Sequence, residues 1–103
     1  MGAYQTAALL GLPHRLSATN INATEDYVGP GYGSVTPECR NALDLVARTE
    51  AILLDPVYSA KAMACLIDDV RKQQLPRGIV VFIHTGGQPA IFAYRDELMA
   101  GRK

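Results

Sequence analysis

A chain of 103 residues has room for one small domain, which buries about 60–65% of the surface its unfolded form exposes. Its 49% hydrophobic and 19% charged content, without low-complexity tracts, excludes a disordered polypeptide. Ten basic and ten acidic residues cancel, which excludes the broad positive footprint of a nucleic-acid binder.

Residues 4–12 are predicted as a short helix or the end of one, stopped by Gly11 and Pro13. The apolar run Ala7 to Leu12 is far too short to span a membrane. No basic segment precedes it, so it does not read as a signal peptide, and the cytoplasm is the expected compartment. Asn22-Ala23-Thr24 matches a glycosylation pattern but has no secretory context. Leu16 to Ala23 alternates weakly and predicts a short strand.

Gly29-Pro30-Gly31-Tyr32-Gly33 predicts a loop. A helix start follows: Thr36 caps, Pro37 suits the first helical position and Glu38 favours the positive end. Cys39, Leu43, Val46 and Ala47 repeat at helical spacing, and the helix should end near Thr49. Ile52-Leu53-Leu54 is either a short strand or a buried connection.

Asp55-Pro56 repeats the same start signal. Met63, Leu66, Ile67 and Val70 form the inward stripe of that helix, with Lys72 near its negative end. Cys39 and Cys65 both fall in helices and are expected as reduced thiols rather than a disulfide. Pro76 and Gly78 close the segment. Ile79-Val80-Val81-Phe82-Ile83 is apolar on both faces, as a buried parallel strand would be. His84-Thr85-Gly86-Gly87 turns out of it, and Gln88 to Leu98 is predicted as a final helix. The order suggests α/β architecture, a parallel sheet covered by helices. Only one strong strand is present, so the sheet is incomplete.

Neither glycine loop carries the Lys-Ser/Thr ending of a phosphate loop, and the loop at 29–33 lacks the strand that a dinucleotide fingerprint needs. The turn at 84–87 joins a buried strand to a helix, a place where α/β sheets collect ligands; the bland reading is a tight turn. His14 and His84 have no partner at ligand spacing, so no metal site is expected. No nucleophile elbow is present. Arg71-Lys72, with Arg77 nearby, reads as a solvated helix end.

Four segments stand in order: Gly29-Pro30-Gly31-Tyr32-Gly33, Ala47-Arg48-Thr49-Glu50, Asp55-Pro56-Val57-Tyr58-Ser59-Ala60-Lys61-Ala62-Met63, and His84-Thr85-Gly86-Gly87-Gln88-Pro89-Ala90. This series resembles the C-terminal region of the D-cysteine desulfhydrase and 1-aminocyclopropane-1-carboxylate deaminase family. The resemblance runs from about Tyr27 to Tyr94 and implies a pyridoxal 5'-phosphate enzyme with the tryptophan-synthase-β type of fold. Residues 1–103 would then form one partial domain, the C-terminal portion of a three-layer α/β domain.

Carried over residue by residue, the resemblance implies catalytic roles for Tyr32 and Tyr58, both close to cofactor and substrate. It assigns cofactor contacts to Ser59, which meets the pyridine nitrogen, to Thr85 and to Tyr58. The deaminase branch carries glutamate and leucine where Ser59 and Thr85 stand; the desulfhydrase branch carries hydroxyl residues. A serine hydroxyl donating to a neutral ring nitrogen gives a weaker electron sink than a carboxylate, which suits β-elimination from D-cysteine to pyruvate, sulfide and ammonia.

The family's Schiff-base lysine and phosphate-binding loop precede the matched region and do not occur in these 103 residues. Lys61 matches an additional lysine, not that one. The resemblance therefore implies an inactive isolated chain that forms a homo-oligomer or associates with a missing N-terminal part. Its partner would be a small amino-acid substrate, with no nucleic acid and no membrane. The alternatives are a fragment of the deaminase branch and a stand-alone binding domain without catalysis.

Overall fold

The computed structural model describes residues 3–13 and 17–100; His14 and Leu16 lie outside them. Five α-helices occur among these residues: α1 (Ala3–Leu9), α2 (Pro37–Glu50), α3 (Ser59–Arg71), α4 (Ala90–Ala93) and α5 (Arg95–Met99), with a 3₁₀ turn at Ala18–Asn20.

The α2 helix starts where its sequence requires. Thr36 accepts a hydrogen bond from the Cys39 amide at 3.2 Å, Pro37 occupies the first turn, and Glu38 faces the positive end. Gly29 underlies this cap. Its backbone is left-handed (φ 77°), and a Cβ there would lie 2.4 Å from the Thr36 methyl, displacing the capping side chain. The helix ends on Ala51, also left-handed (φ 56°), a position that glycine normally fills.

The two long helices pack on one another and bury Cys39, Leu43 and Val46 of α2 against Ala60 of α3, with Met63 and Ile67 half-buried alongside. The connection between them passes through this core: Leu54, Asp55 and Pro56 are all fully buried. Leu98 of α5 completes the cluster, and the Arg40 guanidinium holds α5 in place. It donates to the Glu97 carbonyl at 2.5 Å and to the Ala100 carbonyl at 2.9 Å, where a helix end offers unpaired carbonyls. Both cysteines are free thiols, Cys39 buried and Cys65 half-buried.

Several sequence-based expectations are corrected. No strand forms among the described residues, neither at 17–23 nor at 79–83, and 52–54 is a connection, the other of its two readings, buried at Leu54. A parallel strand exists only through hydrogen bonds to neighbouring strands, and the described residues offer no neighbour. Ile79 is accordingly 97% exposed and Val81 and Ile83 each 79%, whereas Phe82 is half-buried against the core. The Leu43 stripe is buried under α3, as its spacing predicts. Val70, expected inward, lies in the last turn of α3 and is exposed.

The predicted helix from Gln88 to Leu98 divides into α4 and α5. The amides of Ala90, Ile91 and Phe92 bond three residues back rather than four, in tightened turns after the left-handed Gly86 and Gly87. The helical register restarts at Tyr94, whose carbonyl accepts from the Leu98 amide. The Cα radius of gyration is 16.3 Å, against about 13 Å for a compact domain of this length.

Ala51→Gly relieves the left-handed strain at the end of α2 and should raise unfolding stability by about 1 kcal/mol. Urea denaturation monitored by circular dichroism checks this.

Candidate functional site

The site is built around the buried carboxylate of Asp55. The turn at 56–58 curls its amides toward this side chain: Oδ2 accepts from the Val57 and Tyr58 amides, each at 2.8 Å. Oδ1 accepts from the Ser59 amide at 2.7 Å and from the Ser59 hydroxyl at 2.6 Å. The Ser59 hydroxyl in turn accepts from the Asp55 amide at 2.7 Å, closing a reciprocal box over four residues. Burial alone pushes the Asp55 carboxyl up. The donors from Ser59, Tyr58 and Val57 outweigh burial and hold it below its ordinary value of 3.8.

The loop at 84–87 closes over this box. A Cβ on Gly87, whose φ is 89°, would stand 2.9 Å from both Cβ and Cγ of Asp55, so only glycine permits the approach. His84 anchors the loop from its other end. Its Nδ1 accepts from the Gly86 amide at 3.0 Å, which leaves the proton on Nε2 to reach the Leu53 carbonyl at 2.9 Å.

Tyr58 leaves the turn on its outer side and meets Tyr32 from the glycine loop. The phenol oxygens are 2.7 Å apart and the rings meet edge to face, with centroids 5.9 Å apart. Hydrogen bonding to Tyr32 raises the Tyr58 phenol above its ordinary value, with desolvation adding to the effect. Tyr58 therefore stays protonated at neutral pH. One proton lies between the oxygens and the other is directed outward.

The glycine loop is tied to α3 by Lys61, which is buried and donates to the Val28 carbonyl at 2.6 Å. Between loop and helix lies a cleft of about 450 Å³, lined by Val28, Tyr32, Val57, Tyr58, Lys61 and Cys65 among others.

Of the four residues singled out from sequence, the structure pairs Tyr32 with Tyr58 and sets Ser59 beside Tyr58, buried beneath Asp55. Thr85 is exposed on the loop that packs against Asp55. Sequence reasoning read Asp55 only as a helix start, and weighed His84 and Gly87 only as members of the 84–87 turn. The signal available for Asp55 was a hydroxyl four residues on, in reach of a carboxylate across one turn. Among the described residues no cluster of metal-ligating side chains occurs, and no helix is long and apolar enough to cross a membrane.

The chain belongs to the family of pyridoxal-phosphate-dependent enzymes, whose model matches residues 3–86. It is similar to the D-cysteine desulfhydrase of Klebsiella pneumoniae (strain 342), with 48% identity over 80 residues, covering 77% of this chain and 24% of that protein. It also matches the crystal structure of an ACC deaminase homologue at a TM-score of 0.79 and 38% identity, over 93% of this chain and 28% of that one. The chain thus spans about a quarter of the length of these relatives.

The residues fit one wall of a site for the family's cofactor. They offer an anchored hydroxyl, two phenols and a loop held close by glycine.

Two outcomes follow from the Asp55 box. Asp55→Ala strands buried amides and a hydroxyl and should cost at least about 2 kcal/mol, measured by urea denaturation. Because the folded carboxyl titrates below 3.8, its stabilisation is fully present above that value and is lost as pH falls through the folded value. Acid unfolding of Asp55→Ala should show a correspondingly shallower dependence below pH 4, where ~4 is the ordinary carboxylate range.

Proposed function

We propose that this chain carries part of the active site of a pyridoxal-phosphate-dependent lyase that eliminates sulfide from D-cysteine. The observation that carries this reading is the Tyr32–Tyr58 hydrogen bond, standing immediately beside the anchored Ser59. The similarity to a D-cysteine desulfhydrase supports the choice of substrate.

When bound, the cofactor supplies an electron sink for the pair left at Cα after its proton departs. The chain's own residues do the remaining work. Ser59 meets the ring nitrogen, and Thr85 lines the same pocket from its loop. The Tyr32–Tyr58 pair holds a proton at phenolic oxygen, in reach of a substrate in the cleft. Loss of hydrosulfide from Cβ then needs no further activation, because sulfide is a good leaving group.

Tyr32 is 82% exposed and Tyr58 59% exposed, so the wall needs a cover that excludes water. In this reading the cover is the part of the protein to which the other three-quarters of the relatives' length corresponds. It also supplies the Schiff-base lysine, the phosphate-binding loop and the strands that pair with Ile79–Ile83. A second reading, a deaminase that opens a cyclopropane ring, draws on the similarity to the ACC deaminase homologue.

The test replaces the matching 80 residues of the Klebsiella desulfhydrase with this chain. The chimera should release sulfide from D-cysteine, and Tyr58→Phe should lower kcat about 100-fold, in the range of a lost general acid–base. Ser59→Glu with Thr85→Leu should weaken sulfide release; unchanged turnover removes the role given to that pair. Ring opening of 1-aminocyclopropane-1-carboxylate without sulfide release favours the second reading. The 103-residue chain alone, with added cofactor, should be inactive and should sediment as an associated species through its exposed 79–83 segment.

A further inference from the structure

Thr85 is exposed, and its hydroxyl can face a ligand only where the backbone of its loop puts it. That backbone has little stiffness of its own, because Gly86 and Gly87 follow, both left-handed with φ 89°. Two contacts hold the loop, one on each side of Thr85. After it, Gly87 lies on the Asp55 side chain, where a Cβ would come within 2.9 Å. Before it, His84 Nε2 reaches the Leu53 carbonyl at 2.9 Å. The loop is stapled at two points to one short stretch that leads directly into Ser59. We propose that His84 is a positioning residue: its imidazole fixes Thr85 relative to Ser59 and acts on the reaction only through Thr85. This role presupposes the reading that Thr85 lines the cofactor pocket.

The hydrogen bonds define how the ring does this. Nδ1 accepts from the Gly86 amide at 3.0 Å, closing a turn over Thr85. An asparagine side chain makes the same kind of turn with the amide two residues on. An amide donor can meet only an unprotonated ring nitrogen, so the proton sits on Nε2 and is donated to Leu53. The Leu53 carbonyl belongs to a connection without strand pairing among the described residues, so no ladder amide competes for it. One planar ring thus binds an amide inside the loop and a carbonyl outside it, at a separation that the ring itself fixes. A flexible side chain could make either bond but would not set the distance between them.

The same geometry keeps His84 out of the chemistry itself. Both ring nitrogens are committed to backbone groups, and His84 does not line the cleft beside Tyr58. It has no free lone pair with which to take a proton from a substrate. Its influence passes through the one residue that its two contacts with Gly86 and Leu53 enclose.

Two measurements test this. The first uses the 103-residue chain without cofactor, ¹⁵N-labelled, in a His14→Gln background that leaves His84 as the one histidine ring. Its nitrogen resonances should show an unprotonated Nδ1 and a protonated Nε2 at neutral pH. The Gly86 amide should exchange slowly with solvent, fast in His84→Ala, and slowly again in His84→Asn, whose amide oxygen can close the same turn. A protonated Nδ1, or Gly86 exchange that His84→Ala does not change, overturns the proposal. The second is a double-mutant cycle in the desulfhydrase chimera. Thr85→Ala and His84→Ala should each lower kcat for sulfide release about tenfold, the scale of one hydrogen bond. The double variant should be no slower than Thr85→Ala alone. A double variant slowed by the product of the two single losses overturns the proposal, because His84 would then act by another route. If Thr85→Ala leaves kcat unchanged, the reading of Thr85 as a pocket residue fails and this role for His84 falls with it. If Thr85→Ala lowers kcat and His84→Ala does not, the role of His84 alone falls, so the two failures are distinguishable.

Discussion

The arrangement described here depends on one buried carboxylate. Among the described residues no cation pairs with Asp55; its charge is stabilised by three amides and one hydroxyl donated from the four residues that follow. Leaving such a charge unpaired in the core would be prohibitive, so the backbone at 56–59 has little choice of path. That path points Tyr58 outward and Ser59 inward from consecutive positions. The same carboxylate accepts the close approach of Gly87 and so brings the 84–87 loop to the site.

The rest of the scaffold serves to hold three loops around this point. Cys39 of α2 donates its thiol hydrogen to the Pro56 carbonyl at 3.1 Å, linking the first long helix to the turn. Lys61 of α3 reaches back to the glycine loop and fixes the distance at which Tyr32 meets Tyr58. His84 binds the last loop to the strand-like connection ahead of Asp55. Each tie is a single polar contact between segments distant in sequence; those of Cys39 and Lys61 are buried or half-buried, where such contacts are strongest, and that of His84 is exposed.

The apolar segment at 79–83 shows the other side of the architecture. Its alternating residues are almost fully exposed, although five consecutive apolar residues would be buried in a complete sheet. A strand is a property of a pair, and the backbone hydrogen bonds that define it come from neighbours. Helices satisfy their own backbone and so form here without partner strands. This is why the described chain is helical while its sequence has the pattern of an α/β protein.

The boundaries of α2 were legible in the sequence because capping is local: Thr36, Pro37 and Glu38 act within one turn. The inward stripe from Cys39 to Val46 was equally legible from its spacing. The order of the four motifs identified the family, since each motif is a contiguous stretch of residues. Tertiary structure alone decided that Tyr32 and Tyr58, 26 positions apart, share a hydrogen bond, and that Gly87 is glycine because of Asp55. It also decided the direction of the Ser59 proton. A sequence identifies a hydroxyl but not its hydrogen-bond partners, and those partners determine whether it donates or accepts.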